Sequence, residues 1–313
     1  MSLKFIDLFA GIGGMRIAFE DAGAECVLTC EINEDALKTY KANFKGNNNH
    51  IYHNDILTLS KDIVPKHNIL VAGFPCQPYS IAGLRKGLKD ERGGDVFLAI
   101  LRILKERSPD AFLLENVKGL LNMGGYETKE DQKKQTGKVL KVILHDLEEC
   151  GYKVSFKLFD SKDYDVPQKR QRVIIIGVRK DINFEPKWPE PSGTILTLRQ
   201  AIGDLPLEYD ESIQHVGTKH KCAVTGYLGN RELNWDEPSP TITGRGGGSG
   251  GPVIHNHPSL KRRLTVRECA RIQTFPDSFV FRGSISSMYK QLGNAVPCRF
   301  SEYLRSIFEL APV

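Results

Sequence analysis

Short apolar segments alternate with amphipathic segments from residue 3 to residue 178. The apolar segments have the length of buried strands, and the segments between them repeat apolar residues with helical spacing. Strands that alternate with helices form a mostly parallel sheet covered on both faces, so the predicted fold class is α/β and doubly wound. The predicted strands are 3–6, 26–30, 69–72, 111–114 and 173–178, and the predicted helices are 15–22, 36–44, 96–105 and 138–150.

The alternation stops near Arg179. Residues 182–258 are rich in proline, glycine and other turn-forming residues, which predicts a smaller, irregular domain. Helical spacing returns at residues 265–273 and 297–310, whereas the polar stretch 122–137 is predicted to be a loop. We therefore predict a catalytic and cofactor-binding domain of residues 1–182, completed by residues 286–313, and a second domain of residues 183–285.

The composition excludes several classes of protein. The 313 residues carry a net charge of +5, which permits a polyanionic partner without requiring one. The seven cysteines are odd in number and scattered, with no Cys-x-x-Cys pair, which argues against a disulfide framework and a metal site. The N-terminus lacks a signal-peptide pattern, and no apolar run reaches the ~18 residues of a membrane span. We expect a reduced, cytoplasmic protein that does not bind a membrane.

The stretch DLFAGIGG, residues 7–14, places three glycines between a predicted strand and a predicted helix. Backbone N–H groups at such a turn can approach a ligand closely, although a glycine-rich turn without a ligand fits the residues equally well. Glu31 ends the next strand, where a carboxylate can accept both hydroxyls of a ribose, and Asp55 follows the third strand. Either acid alone is also compatible with a helix cap. Together these features indicate a nucleoside site at the carboxyl ends of parallel strands.

A single cysteine, Cys76, lies between two prolines in GFPCQPYS, residues 73–80, directly after a predicted strand. Prolines limit backbone φ and remove N–H groups, so this loop holds the thiol in a fixed place. Glu115, in LLENVKG, follows another apolar strand at the same predicted edge, where it is positioned to be protonated and to donate to a ring nitrogen. The usual outcome for a single cysteine is burial, which we expect for Cys26, Cys30, Cys150 and Cys269.

The basic stretch QKRQR, residues 168–172, precedes the predicted strand 173–178. In an extended segment Gln168, Arg170 and Arg172 point to one face. A basic run is most often a solvated face. Two arginines and a glutamine that lead into a core strand also suit fixed hydrogen bonds inside a cleft, and both interpretations stay open on these residues alone.

The motifs DLFAGIGG, GFPCQPYS, ENVKG, QKRQR, RECARIQTFPDSF and YKQLGNAVP follow one another in this order. The ordered set closely resembles that of the DNA cytosine methyltransferases that methylate carbon 5, of the bacterial restriction-modification type, from residue 5 to about residue 300. The resemblance implies a Rossmann-like methyltransferase fold, S-adenosylmethionine as methyl donor and duplex DNA as substrate. The implied cofactor-binding residues are Phe9, Ala10, Gly11, Gly13, Gly14, Glu31, Ile32, Asp55, Ile56, Gly73, Pro75, Asn294 and Ala295.

The resemblance also implies the catalytic residues. Cys76 would add to carbon 6 of cytosine while Glu115 shares a proton with ring nitrogen 3 and Arg172 donates to the ring carbonyl. Gln168 and Arg170 belong to the same catalytic motif. The target base must leave the stack of the duplex to be reached. No single side chain is an obvious base for the proton on carbon 5, and water is an alternative.

DNA contacts are expected from two regions. The loop 81–93 resembles the family's mobile loop, with one extra residue around positions 94–95 relative to the commonest spacing. The irregular segment 182–263 is predicted to choose the DNA sequence, through polar and basic residues of the types that read base edges or phosphates: Lys219, Lys221, Asn230, Arg231, Arg245, Asn256 and residues 261–263. Thr241 is assigned to positioning near a phosphate. The predicted DNA-binding residues are Ser80, Arg85, Lys86, Arg92, Thr241 and Arg245.

Three alternative functions fit parts of the sequence. A cysteine hydrolase would need a histidine that activates Cys76, and none of the eight histidines lies in such a motif. A tRNA cytosine-5 methyltransferase built on the same motifs is the serious alternative, but the Cys-Phe-Thr signature of those relatives is missing. A non-catalytic DNA-binding module would have no use for Cys76, Glu115 and Arg172 together. The family type also allows a cognate restriction endonuclease that acts on the same site without being a bound subunit, and we expect a monomer.

Overall fold

The computed structural model describes residues 2–46, 49–75, 93–218, 232–244 and 255–308. Its strands are β1 (Lys4–Leu8), β2 (Glu25–Cys30), β3 (Ile51–His53), β4 (Ile69–Gly73), β5 (Ala111–Val117), β6 (Tyr152–Asp160), β7 (Gln168–Lys169), β8 (Gln171–Arg179) and β9 (Ser239–Pro240). Seven of them form one sheet in the order β3-β2-β1-β4-β5-β8-β6, and β7 pairs with β9. The strands β1 to β5 are parallel, whereas β8 runs antiparallel to β5 and β6. The predicted α/β, mostly parallel sheet is confirmed.

Helices cover both faces of this sheet. They are α1 (Gly14–Asp21), α2 (Glu34–Asn43), α3 (Gly93–Arg107), α4 (Lys129–Lys134), α5 (Lys138–Glu149), α6 (Leu198–Ile202), α7 (Val266–Ile272), α8 (Ile285–Asn294) and α9 (Cys298–Arg305). One apolar cluster packs α3 and α5 on the sheet, and a second packs α1 and α9 on its other face. Among the described helices none has the length and apolar character needed to cross a membrane.

The orientation of β8 differs from the parallel arrangement expected for the predicted strand 173–178. Strand β6, which was not predicted from the sequence, precedes β8 and pairs with it along its whole length. Residues 161–170 connect the two strands through one short turn and the two-residue β7, without a crossover helix. A parallel pair needs a long crossover connection, so two strands joined this closely must be antiparallel.

The predicted loop 122–137 is wrong, because it contains α4. This helix begins with a capping box, in which Thr128 Oγ1 accepts from the backbone N–H of Asp131 and the Asp131 carboxylate accepts from that of Thr128, each at 3.0 Å. The Thr-x-x-Asp spacing that signals such a start was present in the sequence. Helix α8 was also missed.

A third apolar cluster joins the C-terminal half of the chain to the first glycine turn and α2. Ile12, Tyr40 and Phe44 pack in it with α6, α7 and α8. Over the described part of residues 183–258, regular structure is limited to α6, a short turn at Glu211–Ile213 and β9, which fits the irregular composition. The domain boundaries proposed from the sequence stay a prediction.

Candidate active site

A cavity of about 450 Å³ opens at the carboxyl ends of the parallel strands. The ends of β1, β2, β4 and β5 contribute Phe9, Glu31, Gly73 and Glu115 to its lining. Residues 241–244 and the end of α8 close its other side. Ligands of open α/β sheets bind at this edge, where loops from adjacent strands meet.

Glu31 is held at one end of this cavity by two backbone groups. Its Oε2 accepts from the N–H of Gly11 at 2.8 Å, and its Oε1 accepts from the N–H of Asn33 at 2.7 Å. Burial is the main effect on the pKa of Glu31 and raises it, while these two N–H groups act in the opposite direction. The carboxylate is therefore fixed in position at the cavity lining, and its remaining acceptor capacity suits the two hydroxyls of a ribose.

The glycines of the first motif have different roles. Gly11 lines the cavity, and a side chain there would meet open space. Gly13 has φ +86°, and a Cβ at this position would overlap the ring of Phe44. A Cβ on Gly14 would overlap the backbone carbonyl of Val296. The second and third glycines thus allow α2 and the residues after α8 to pack closely, which shapes the loop that presents Gly11.

Other residues predicted for the cofactor lie outside the cavity lining. Asp55 Oδ1 accepts from the N–H of Leu57 at 3.0 Å and caps a short turn, which is the alternative that the sequence left open. Ile32 is 72% exposed next to Glu31, whereas Ile56 is buried in the core. The predicted residues that line the cavity are Phe9, Gly11, Glu31, Gly73, Pro75 and Asn294. Those that do not are Ala10, Gly13, Gly14, Ile32, Asp55, Ile56 and Ala295.

Glu115 and Arg172 form an ion pair on the cavity wall. Arg172 Nε lies 2.6 Å from Glu115 Oε1, and each side chain is only 11% exposed. The register explains the contact: Arg172 is paired with Val117 across the antiparallel β5–β8 ladder, which places it diagonally from Glu115 on the same face. A parallel β8 would have put Arg172 at the opposite edge of the sheet. The antiparallel orientation of β8 therefore brings together Glu115 and Arg172, the two residues predicted to act on the ring.

Arg170 and Gln168 bind backbone in the structure. Arg170 Nη1 donates to the carbonyls of Ile242 and Gly293, both at 3.1 Å, and Gln168 Oε1 accepts from the N–H of Ile242 at 3.0 Å. Both side chains are almost fully buried, and burial lowers the pKa of Arg170 to about 9. These contacts favour a positioning role, because they fix residues 241–244 against the end of α8.

Asn116, which the sequence analysis did not single out, supports the chain just before Cys76. Its Nδ2 donates to the carbonyl of Phe74 at 3.2 Å, and the side chain is 1% exposed. Its Oδ1 accepts from the N–H of Val117 at 2.8 Å. Asn116 follows Glu115 in the motif LLENVKG, and a polar residue inside an apolar strand was the available signal.

Cys76 itself lies outside the described residues, but Pro75, which precedes it, lines the cavity. Burial is confirmed for Cys26, Cys30 and Cys269, and Cys150 is partly buried. Burial raises the pKa of Cys26 and Cys30 to about 12. A thiol with so high a pKa is a poor nucleophile near neutral pH.

Residues 3–308 match the family model described as C-5 cytosine-specific DNA methylase. The chain belongs to this family. The methylase is 39% identical to the Type II methyltransferase M.DsaV of Dactylococcopsis salina, over 94% of this chain and 82% of that protein. It is 37% identical to the Type II methyltransferase M.NlaX of Neisseria lactamica, over 94% of this chain and 92% of that protein. A prophage-encoded DNA modification methyltransferase of E. coli superimposes with a TM-score of 0.77 at 21% identity, over 99% of each chain, which shows a shared fold.

Family membership confirms the resemblance, the enzyme class and the substrate. The protein is a DNA (cytosine-5-)-methyltransferase, since residues 3–308 match the family model. The tRNA alternative is not favoured, because the family model and the similar Type II methyltransferases cover nearly the whole sequence.

The predicted DNA contacts of this methylase are only partly described. Thr241 lines the cavity, and its hydroxyl donates to the carbonyl of Lys169 at 2.7 Å. Asn256 is 1% exposed, so the expectation that it faces DNA is wrong. Arg262 instead forms a bidentate pair with buried Glu268, both contacts at 2.8 Å. Outside the described residues lie Ser80, Arg85, Lys86, Arg92, Lys219, Lys221, Asn230, Arg231 and Arg245.

Proposed function

We propose that this methylase transfers a methyl group from S-adenosylmethionine to carbon 5 of a cytosine flipped out of a specific duplex DNA sequence, through a covalent adduct with Cys76. The observation that carries the proposal is a single cavity with the Glu115–Arg172 pair on one wall and Glu31 fixed at its other end. Pro75 lines the same cavity one residue before the proposed nucleophile.

The Glu115–Arg172 pair matches one edge of a cytosine ring. Nitrogen 3 and the carbonyl oxygen are neighbours on that edge, so a carboxyl group and a guanidinium held side by side can address both atoms. Glu115 shares a proton with nitrogen 3 and Arg172 donates to the carbonyl, which withdraws electron density as the Cys76 thiolate bonds to carbon 6. Carbon 5 then becomes the nucleophile. After methylation, loss of the carbon 5 proton and expulsion of the thiolate restore the aromatic ring.

The residues at the other end of the cavity fit S-adenosylmethionine. Glu31 offers a fixed carboxylate for a ribose diol, and Gly11 leaves open space beside it. Phe9, Gly73 and Asn294 complete the proposed pocket. When bound, the cofactor supplies an electrophilic methyl group.

The relatives M.DsaV and M.NlaX are Type II methyltransferases, which supports a role in restriction and modification. We place the choice of target sequence in segment 182–263, and the positioning of the flipped nucleotide at Thr241. A cytoplasmic location and a monomeric state belong to the same proposal, which also allows a cognate restriction endonuclease that acts on the same site without being a bound subunit.

Trapping on modified DNA tests the nucleophile. Bisulfite sequencing of DNA from cells that express the protein first identifies the methylated site, and tRNA from the same cells tests the alternative substrate. With S-adenosylmethionine present, duplex DNA with 5-fluorocytosine at the site is then expected to form a stable complex with the wild type, because after methyl transfer the fluorine on carbon 5 cannot leave as the proton does. Cys76→Ser should abolish this complex, while the control Cys150→Ser should retain it. A complex formed by Cys76→Ser, or attachment through Cys222 or Cys298, would overturn the assignment.

A further inference from the structure

A second groove adjoins the active-site cavity on its outer side. Its volume is about 490 Å³, and it shares Val117, Arg172 and Thr241 with the cavity lining. Lys118 and Lys169 reach it from separate segments of the chain, one directly after β5 and the other on β7. The groove is therefore continuous with the proposed cytosine site.

The floor of this groove is a row of residues at the ends of neighbouring strands. Gln171 is paired with Asp160 in the β6–β8 ladder, and Lys118 Nζ donates to Gln171 Oε1 at 2.9 Å. Asp160, an acid of the lining, accepts backbone N–H groups from Arg170 and Lys162 at 3.1 and 3.4 Å. Both bonds are accepted by Oδ1 of Asp160, whereas the partner of Lys118 is an uncharged amide.

Lys169 has a partner that is easily exchanged. Its Nζ lies 2.9 Å from Glu237 Oε2, and the two side chains are 47% and 56% exposed. Exposed ion pairs of this kind contribute little to stability, so an anion in the groove can compete for the lysine. The charged side chains that line the groove are Lys118, Lys169, Arg172 and Asp160. Arg172 is paired with Glu115 and Lys169 with Glu237, so positive charge for a ligand comes from Lys118 and from Lys169 once an anion replaces Glu237.

We infer that this groove binds backbone phosphates of the DNA strand that carries the target cytosine, through Lys118 and Lys169. The inference rests on the proposed function, because it requires a cytosine in the adjoining cavity. The DNA backbone on either side of a flipped nucleotide leaves the cavity through its mouth. The groove adjoins that mouth, because the two share Val117, Arg172 and Thr241. Phosphate contacts from lysines position the strand and do not read its sequence. Lys118 and Lys169 are therefore positioning residues, and Gln171 keeps Lys118 directed along the groove.

Salt-dependent binding tests this inference on the full chain. Lys118→Ala, Lys169→Ala and the double variant are compared with wild type on target and non-target duplexes of equal length. Each single substitution should reduce the slope of log K against log salt by about 0.9, on both duplexes alike. The KM for DNA should rise while the single-turnover methylation rate stays near wild type. Gln171→Glu, which is isosteric and adds a carboxylate beside Lys118, should also raise the KM.

Lys4→Ala is the matched control. Lys4 pairs with Glu25 at 3.9 Å, is 49% exposed and lies at the opposite edge of the sheet. If Lys4→Ala reduced the slope of log K against log salt as much as Lys118→Ala or Lys169→Ala, the inference would be overturned, because the effect would then be one of net charge alone. Wild-type slopes and KM values in the Lys118 and Lys169 variants would overturn it too, as would loss of the single-turnover rate with unchanged KM. A wild type that binds but does not methylate DNA would instead refute the proposed function.

Discussion

Replacement of Glu31 by glutamine separates its structural role from cofactor recognition. The wild-type carboxylate accepts two backbone N–H groups, one on each oxygen, whereas the amide of Glu31→Gln has a single acceptor oxygen. Either Gly11 or Asn33 then faces an NH₂ group and loses its partner. A buried donor left unsatisfied costs about 1–3 kcal/mol. Burial raises the pKa of Glu31, so removal of the partly buried charge offsets some of this cost. We expect the free energy of unfolding without ligand to fall by about 1 kcal/mol.

The effect on cofactor affinity should be larger. A hydrogen bond to a charged group contributes about 1.5–3 kcal/mol. Loss of one such bond to a ribose hydroxyl raises the Kd for S-adenosylmethionine by roughly 10- to 150-fold, since 1.4 kcal/mol corresponds to a factor of ten. Isothermal titration with S-adenosylmethionine and S-adenosylhomocysteine measures the Kd, and urea unfolding measures stability. Glu185→Gln, at an exposed acid outside any helix or strand, is the control and should change neither quantity appreciably. A Glu31→Gln variant with reduced stability but a Kd within twofold of wild type would refute the cofactor role.

Other substitutions test the remaining parts of the structure. Glu115→Gln should slow single-turnover methylation by roughly 10²- to 10⁴-fold with little change in DNA or cofactor affinity; a near-normal rate would count against proton sharing. Arg262→Ala leaves Glu268 buried without its guanidinium and should lower the urea unfolding free energy by about 3–5 kcal/mol. Burial acts to raise the pKa of Glu268, but Arg262 outweighs burial and the net pKa is lowered. The stabilisation by the Arg262–Glu268 pair is therefore present above pH ~4.3, the pKa of an unfolded glutamate, and is lost as the pH falls further. Burial raises the pKa of Asp7, which accepts from Tyr40, to about 7. The wild type should therefore lose stability relative to Asp7→Asn as the pH rises from ~4 to ~7. A difference in melting temperature between the two proteins that stays constant across this pH range would contradict the prediction.

The sequence predicted the parallel half of the fold well because its strands are continuous apolar runs. Buried parallel strands such as β4 and β5 leave a strong pattern, and each ends in a residue that the site uses. Edge strand β6 is only partly buried and mixes lysines with apolar residues, so its signal was weak. Missing β6 also hid the orientation of β8, because orientation depends on what a strand is connected to.

The site residues also fall into a group whose place was predicted from the sequence and a group whose contacts were not. Glu31, Glu115 and Arg172 were predicted from their motifs, and the structure places all three at one cavity. Arg170 and Gln168 belong to the same motif but bind the backbone at Ile242, which depends on contacts about seventy residues away. Such long-range partners leave no periodic pattern in a sequence. The assignments of catalytic and cofactor roles stay predictions until the variants are measured.

The close approach of residues 243–244 to the end of α8 limits how segment 182–263, in which we propose that the DNA target is chosen, can be exchanged. A Cβ on Gly293 would overlap the backbone at Thr243 and Gly244, and one on Gly244 would overlap the side chain of Asn294. No side chain larger than hydrogen fits at either position without displacing the other segment. Evolution or engineering that recombines the recognition segment must therefore leave this junction intact. A transplant whose boundary falls within 241–244 would disturb Asn294, which lines the cavity. One that extends past residue 255 must also keep buried Asn256 and the Arg262–Glu268 pair.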